Sequence, residues 1–235
     1  MAMPIWDHDP FDWPEPPYGM WALIAINFGV FFWMVGMPPE QAAATVHASA
    51  LVPAALFHGG LAGAVPPPLT LITSMFVHAN FMHVFGNMIF LFVFGDDIEE
   101  AIGHWLFLAF YLACGVCGGL TFVLSDPASN IHLIGASGAV AGVIAAYLLF
   151  RPCAKLYCLV GMIPLRLRAY WVIGFWVFWQ VLEIVNRESD GVAYWDHVGG
   201  LIAGAVLFVV MRPKGVRLFD CTEPETASPA GTVIG

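Results

Sequence analysis

Six apolar stretches limit what this chain can become: Gly19–Val35, Leu69–Phe94, Trp105–Leu124, Leu133–Phe150, Tyr170–Val185 and Tyr194–Met211. Each runs for roughly 16–26 residues, and about 20 cross the hydrocarbon of a bilayer as a helix. In hydrocarbon the backbone N–H and C=O groups find partners only within the chain, so spanning stretches of this kind must be helical. Only 11 % of the 235 residues are charged and the mean hydropathy is +0.79, which excludes a soluble domain. The expected fold is an all-α polytopic membrane protein. Its six-helix bundle occupies residues 19–212, with tails at 1–18 and 213–235. The fourth and fifth stretches are the short ones, so one end of each is expected to stop inside protein or around water.

Orientation follows from the eight Lys and Arg residues. Arg151, Lys155, Arg166 and Arg168 separate the fourth and fifth stretches, Arg212, Lys214 and Arg217 follow the sixth, and Arg187 stands apart. The positive-inside rule makes the fourth-to-fifth loop and the C-terminus cytoplasmic, and an even number of spans puts the N-terminus there too. Residues 1–18 hold Asp7, Asp9, Asp12 and Glu15 with no Lys or Arg, unlike a cleavable signal peptide. The tail beyond Arg212, with Pro224 and Pro229, is expected to be disordered. Cys114 and Cys117 read as small packing residues, and Cys153 and Cys158, on the cytoplasmic side, as free thiols. Between the first two spans, Gly36–Pro68 includes Val46–Leu61, apolar but broken by His47, Pro53 and His58. It is too short and broken to span, and is expected to lie in the outer interface.

Under this topology the second, fourth and sixth spans all run from outside to inside. Ser137 opens the fourth, His197 the sixth, and His83 and Asn87 occupy the first half of the second. Four polar side chains thus reach one level of the outer half from three helices, and ionisable groups at such depth are functional candidates. A serine hydroxyl becomes a nucleophile when a base takes its proton, and imidazole is suited to that near neutrality. Gly138 and Gly142 form one Gly-x-x-x-Gly, and Gly200 and Gly204 another, which would let the two helices approach closely. The same residues also fit plain helix packing with a satisfied interfacial histidine. His83 and Asn87 share a helix face and can donate hydrogen bonds where negative charge develops on a carbonyl oxygen, as can the Ser137 amide. His78 suits capping or packing equally well. Asp196 neighbours His197 in sequence, so it points about 100° away and is badly placed to orient that ring. Glu183, one turn after Gln180, has nothing tying it to His197, and Asp96, Asp97, Glu99 and Glu100 fall on the far side. A Ser–His dyad is the economical reading, with the ring held by packing or by an aromatic such as Trp195 or Tyr147.

Three motifs carry a family resemblance. Gly135-Ala136-Ser137-Gly138, Trp195-Asp196-His197-Val198-Gly199-Gly200 and His83-Val84-Phe85-Gly86-Asn87, in this arrangement over Leu69–Met211, resemble the rhomboid intramembrane serine proteases. The resemblance implies a rhomboid-like bundle with catalytic Ser137 and His197, and His83 and Asn87 in the oxyanion role. It further implies hydrolysis of a peptide bond in or beside a transmembrane helix, without cofactor or metal. The implied partners are the lipid bilayer and single-span or multi-span membrane proteins, with no nucleic acid. The family's suspected lateral gate, its fifth helix, corresponds to Tyr170–Val185. The compact layout suggests a bacterial inner membrane, with both termini cytoplasmic. Two departures stand out. The family's Trp-Arg pair is missing from Gly36–Pro68, and Asp196 replaces the small residue usual before the histidine.

Two other readings fit the sequence less well. A proteolytically silent relative that binds membrane helices would be expected to have lost the serine or the histidine, and both are kept. A transporter would need a polar route across, whereas the inner halves of the second, fourth and sixth spans are apolar.

Overall fold

A computed structural model describes residues 2–7, 15–58, 65–161, 163–186 and 192–221. Strand β1 (Ala2–Asp7) precedes α1 (Tyr18–Val35), α2 (Pro39–Ser49), α3 (Pro53–His58) and the short α4 (Thr70–Thr73), which single 3-10 turns flank. Next come α5 (Phe81–Ile102), α6 (His104–Ser125) and α7 (Ser137–Phe150), the strands β2 (Lys155–Val160) and β3 (Ile163–Arg168), then α8 (Ala169–Asn186) and α9 (Tyr194–Met211). Five of these helices, α1, α5, α6, α8 and α9, are long and apolar enough to cross a membrane, and α7 is a shorter apolar helix. At 14 residues and about 1.5 Å per residue, α7 is shorter than the hydrocarbon is thick.

Local chemistry sets the ends. Asn80 caps α5, its side-chain oxygen accepting from the His83 amide at 2.9 Å. The second apolar stretch therefore divides: residues 69–76 form short turns, and the long helix starts at Phe81 and runs on to Ile102. Gly103, with φ of 85°, ends α5 and leads straight into α6. Pro152 and Pro213 follow the ends of α7 and α9, where a further helical turn is disfavoured.

Every residue of α7 from Gly138 to Tyr147 is buried, as befits the central helix of a bundle. Helices α6 and α9 flank it through small residues. A Cβ on Gly200 would run into the Gly138 carbonyl oxygen, one on Gly204 into that of Gly142, and one on Gly142 into Cys114. Packing here is backbone against backbone. Cys114 is accordingly a buried packing residue, while the Cys117 side chain is exposed.

One end of the bundle is clasped several times over. Glu99, fully buried, accepts from the Gly19 and Met20 amides at 2.7 and 2.6 Å, so its carboxylate sits on the unpaired N–H groups that open α1. Asp97 pairs with Arg151 at 3.2 Å. The strands form one antiparallel sheet in the order β1-β2-β3. The all-α expectation thus describes the membrane bundle, to which the chain adds a small sheet. Residues 2–7, expected within a tail, pair with β2 instead, and the fourth-to-fifth loop is a hairpin.

The cysteine expectation needs correction. Cys153 is not a free thiol but is disulfide-bonded to Cys221, with Cα atoms 5.0 Å apart; Cys158 is free and buried. After α9 the chain folds back over the end of α7, where the Phe219 and Asp220 amides donate to Leu149 and Phe150 at 2.7 and 3.0 Å. That return brings Cys221 to Cys153, which position in a loop alone did not reveal. The tail expected to be disordered is thus anchored as far as Cys221, and 222–235 lie outside the described residues, as does Arg187.

At the opposite end, Gly36–Pro68 contributes α2 and α3, with 59–64 outside the described residues, and Leu51 bridges Leu133 by two backbone hydrogen bonds of 3.0 and 2.8 Å. His47 Nδ1 and His132 Nε2 meet at 2.8 Å. Partial burial first, and the His47 ring second, hold His132 below the ordinary imidazole pKa, so at neutral pH one ring donates to the other.

Gly200→Ala is expected to cost about 1–3 kcal/mol through overpacking, whereas Gly29→Ala, whose Cβ meets nothing within 4 Å, should be neutral or gain about 0.5–1 kcal/mol. Thermal unfolding in detergent ranks the two. In unfolded protein purified without reductant, maleimide should label three of the five cysteines, and all five after reduction; mass spectrometry counts the adducts.

Candidate active site

Ser137 is the first residue of α7, and the backbone ahead of it is held on several sides. The Gly135 amide donates to the Ser74 carbonyl at 2.9 Å and the Ala136 amide to His78 Nε2 at 3.4 Å. Gly135 has φ of 115°, a region that favours glycine, and a Cβ there would lie 2.7 Å from the His83 ring. The turn before the serine thus lies directly against α5. His78, open to capping or packing in the sequence, supports this turn.

Ser137, His197, His83 and Asn87 line one cavity of about 840 Å³. It lies at the end of the bundle away from the sheet, and Phe90, Ile144 and Trp176 continue its wall. Asn87 is 8 % exposed, and its side-chain Nδ2 is buried without a hydrogen-bond partner. An unpartnered buried donor is costly, and this one sits beside the turn that carries Ser137, where an incoming carbonyl oxygen would satisfy it.

The serine hydroxyl does not rest on the histidine. Ser137 Oγ donates to Asp196 Oδ2 at 3.3 Å. Asp196 is 3 % exposed and occupies a niche between α6 and α7, where a Cβ on either Gly118 or Gly138 would strike its carboxyl. Because neighbours on a helix diverge by about 100°, Asp196 faces the serine while His197 faces α8. The bond is at the long end of the hydrogen-bond range, and Ser137 and His197 both line the cavity.

His197 Nδ1 lies 2.7 Å from Gln180 Oε1. Trp176, one turn before Gln180, inclines its ring toward the imidazole at 5.8 Å between centroids, and Tyr194 meets it edge-on at 6.3 Å. Neither aromatic considered from the sequence fills that place: Tyr147 packs on Phe94 and Trp195 is exposed. Gln180, 3 % exposed, carried a legible signal as the polar residue amid the aromatics of α8. Its contact with His197 is a matter of how two helices sit, which neither sequence states.

The class of protein is thus a polytopic helical membrane protein with a polar, serine-bearing cavity at one end of the bundle. Residues 67–214 match the Rhomboid domain. The "Putative rhomboid protease YdcA" of Bacillus subtilis (strain 168) is 36 % identical over 151 residues, covering 63 % of this chain and 69 % of that protein. "RHOMBOID-like protein 12, mitochondrial" of Arabidopsis thaliana is 31 % identical over 167 residues, covering 63 % and 48 %, and "Rhomboid protease AarA" of Providencia stuartii 27 % over 177, covering 62 % and 57 %. The chain spans about half the length of the latter two. It belongs to the Rhomboid family and is an integral membrane protein.

Asp196→Leu, which must force a branched side chain between Gly118 and Gly138, should cost about 1–3 kcal/mol. Asp196→Asn keeps shape and an acceptor and should stay within about 1 kcal/mol. Unfolding temperatures in detergent check both.

Proposed function

We propose that this protein is an intramembrane serine endopeptidase that cleaves a peptide bond in or next to the transmembrane helix of other membrane proteins. The observation that carries the reading is the convergence of Ser137, His197, His83 and Asn87, from three helices, on one cavity; relatives named as rhomboid proteases support it.

In this reading the Ser137 hydroxyl leaves Asp196, passes its proton to His197 Nε2 and attacks the substrate carbonyl carbon. The oxyanion of the tetrahedral intermediate accepts from Asn87 Nδ2, the His83 ring and the Ser137 amide. Collapse expels the amine, which takes the proton from His197 and leaves an acyl-enzyme on Ser137. Water, deprotonated by His197, then attacks the ester carbonyl; collapse releases the carboxylic acid and returns the proton to Ser137 Oγ. Neither metal nor cofactor enters these steps.

Arg151, Lys155, Arg166, Arg168, Arg212, Lys214 and Arg217 lie after α7, in the hairpin and after α9, which supports a cytoplasmic sheet end with both termini and a cavity in the outer half of a bacterial inner membrane; the Cys153–Cys221 disulfide at that end weighs the other way, since such bonds form in oxidising compartments. Substrate helices would enter beside α8, whose outer face carries exposed Trp171, Phe175, Phe178 and Trp179.

The hydrogen bond from Ser137 to Asp196 favours a second reading, a silent helix-binding relative whose serine is locked away. Ser137→Ala and His197→Ala are expected to abolish cleavage of a model membrane substrate in proteoliposomes while the protein still folds, and Asn87→Ala to lower kcat about 10²–10³-fold. Cleavage surviving in either dyad variant would overturn the mechanism. A wild-type protein that neither cleaves nor takes up a fluorophosphonate would point to the silent relative.

A further inference from the structure

We propose that Gln180 on α8 is a positioning residue for His197: it holds the ring with its proton on Nδ1, leaving Nε2 free as a base toward the cavity, so that the seating of α8 governs the reactivity of the serine. The inference rests on the proposed hydrolase reading and adds to it a third residue that comes from a different helix than either member of the dyad.

A carbonyl oxygen only accepts hydrogen bonds. With Gln180 Oε1 at 2.7 Å, Nδ1 is the donor of this pair, and in the neutral ring Nε2 is then the unprotonated nitrogen. An orienting acceptor on the far nitrogen is what fixes tautomer and ring direction in a serine hydrolase. Asp196, adjacent in sequence, is engaged with Ser137 instead. A neutral amide supplies the orientation without placing a second charge in the apolar site.

The supporting helix is the one least held by its neighbours. Only 22 % of its apolar window is buried, against 33–50 % for the other long helices. A further pocket of about 120 Å³, lined by Trp171, Phe175 and Trp176 of α8 and by Phe90 and Phe94 of α5, separates part of α8 from α5. Both groups that support the imidazole from this side, Gln180 and Trp176, move with α8. Displacing α8 outward would take the Nδ1 acceptor and the neighbouring ring away together, and would leave His197 free to turn or to exchange tautomers. Efficient proton transfer from Ser137 then requires α8 to be seated.

The test compares wild type, Gln180→Leu and Gln180→Glu in proteoliposomes with one model substrate, together with nitrogen-15 NMR of labelled histidine, the His197 signals being identified by their loss in His197→Ala. Expected are a kcat lowered about 10–100-fold in Gln180→Leu with KM changed less than about twofold, and recovery to within about fivefold of wild type in Gln180→Glu, which keeps an acceptor. The His197 spectrum should show a proton on Nδ1 in wild type and a tautomer mixture in Gln180→Leu. An unchanged kcat in Gln180→Leu, or a wild-type ring protonated on Nε2 alone, would overturn the proposal. If wild type lacks hydrolase activity, the functional reading fails, and the NMR comparison still decides whether Gln180 sets the tautomer.

Discussion

The contact on which the rest of this structure depends is the approach of α7 to α9 over Gly138, Gly142, Gly200 and Gly204. Where a Cβ would collide with a carbonyl oxygen, two helices can touch only as bare backbones. That proximity places the first turn of α9, with Asp196 and His197, beside the first turn of α7, with Ser137. No hydrophobic force draws helices together inside lipid tails; close van der Waals fit has to do it, and small residues make the fit possible. The same spacing opens the niche for the Asp196 carboxyl. Packing and chemistry therefore rest on the same atoms, and a bulkier residue at these positions would disturb both.

Two buried acids show how the bundle accommodates charge at opposite ends. Glu99 lies on the opening amides of α1, where a helix N-terminus favours an anion. Asp196 lies among glycines and accepts from the serine hydroxyl. In each case the carboxyl is matched to donors that would otherwise be unsatisfied in an apolar surrounding, which is the condition for burying such a group at all. Asn87 is the contrasting case, a buried donor whose partner is missing. Asn27 Oδ1 and His78 Nδ1 are likewise buried without a partner; what distinguishes Asn87 is its place on the wall of the serine cavity.

Much of this could be read in the sequence, because the physics behind it is one-dimensional. Apolar length marks the helices, and Gly-x-x-x-Gly marks a face that can meet another closely. Ser137, His83, Asn87 and His197 could be grouped by depth alone once the helix directions were inferred. What escaped depends on rotation and on distant returns of the chain. Whether Ser137 turns to Asp196 or His197 is one side-chain torsion. Whether Gln180 or Trp195 reaches the imidazole depends on how α8 leans, and no periodicity encodes that. The strand at residues 2–7 found its partner some 150 positions on, and Cys153 its partner 68 positions on, pairings that local pattern does not foresee.

The clasped end gives the bundle the mechanics of a pair of tongs. The first strand, the hairpin, the Glu99 carboxylate, the Asp97–Arg151 pair and the disulfide-tied return of the tail all grip at one extremity, while the serine cavity sits at the other. At the cavity end α7 and α9 also meet backbone to backbone at Gly138 and Gly200, while α8 is the least buried of the long helices. A small angular change at the grip becomes a larger displacement at the mouth, in proportion to helix length. Such leverage would let α8 tilt at the mouth while the rest of the fold stays closed behind it.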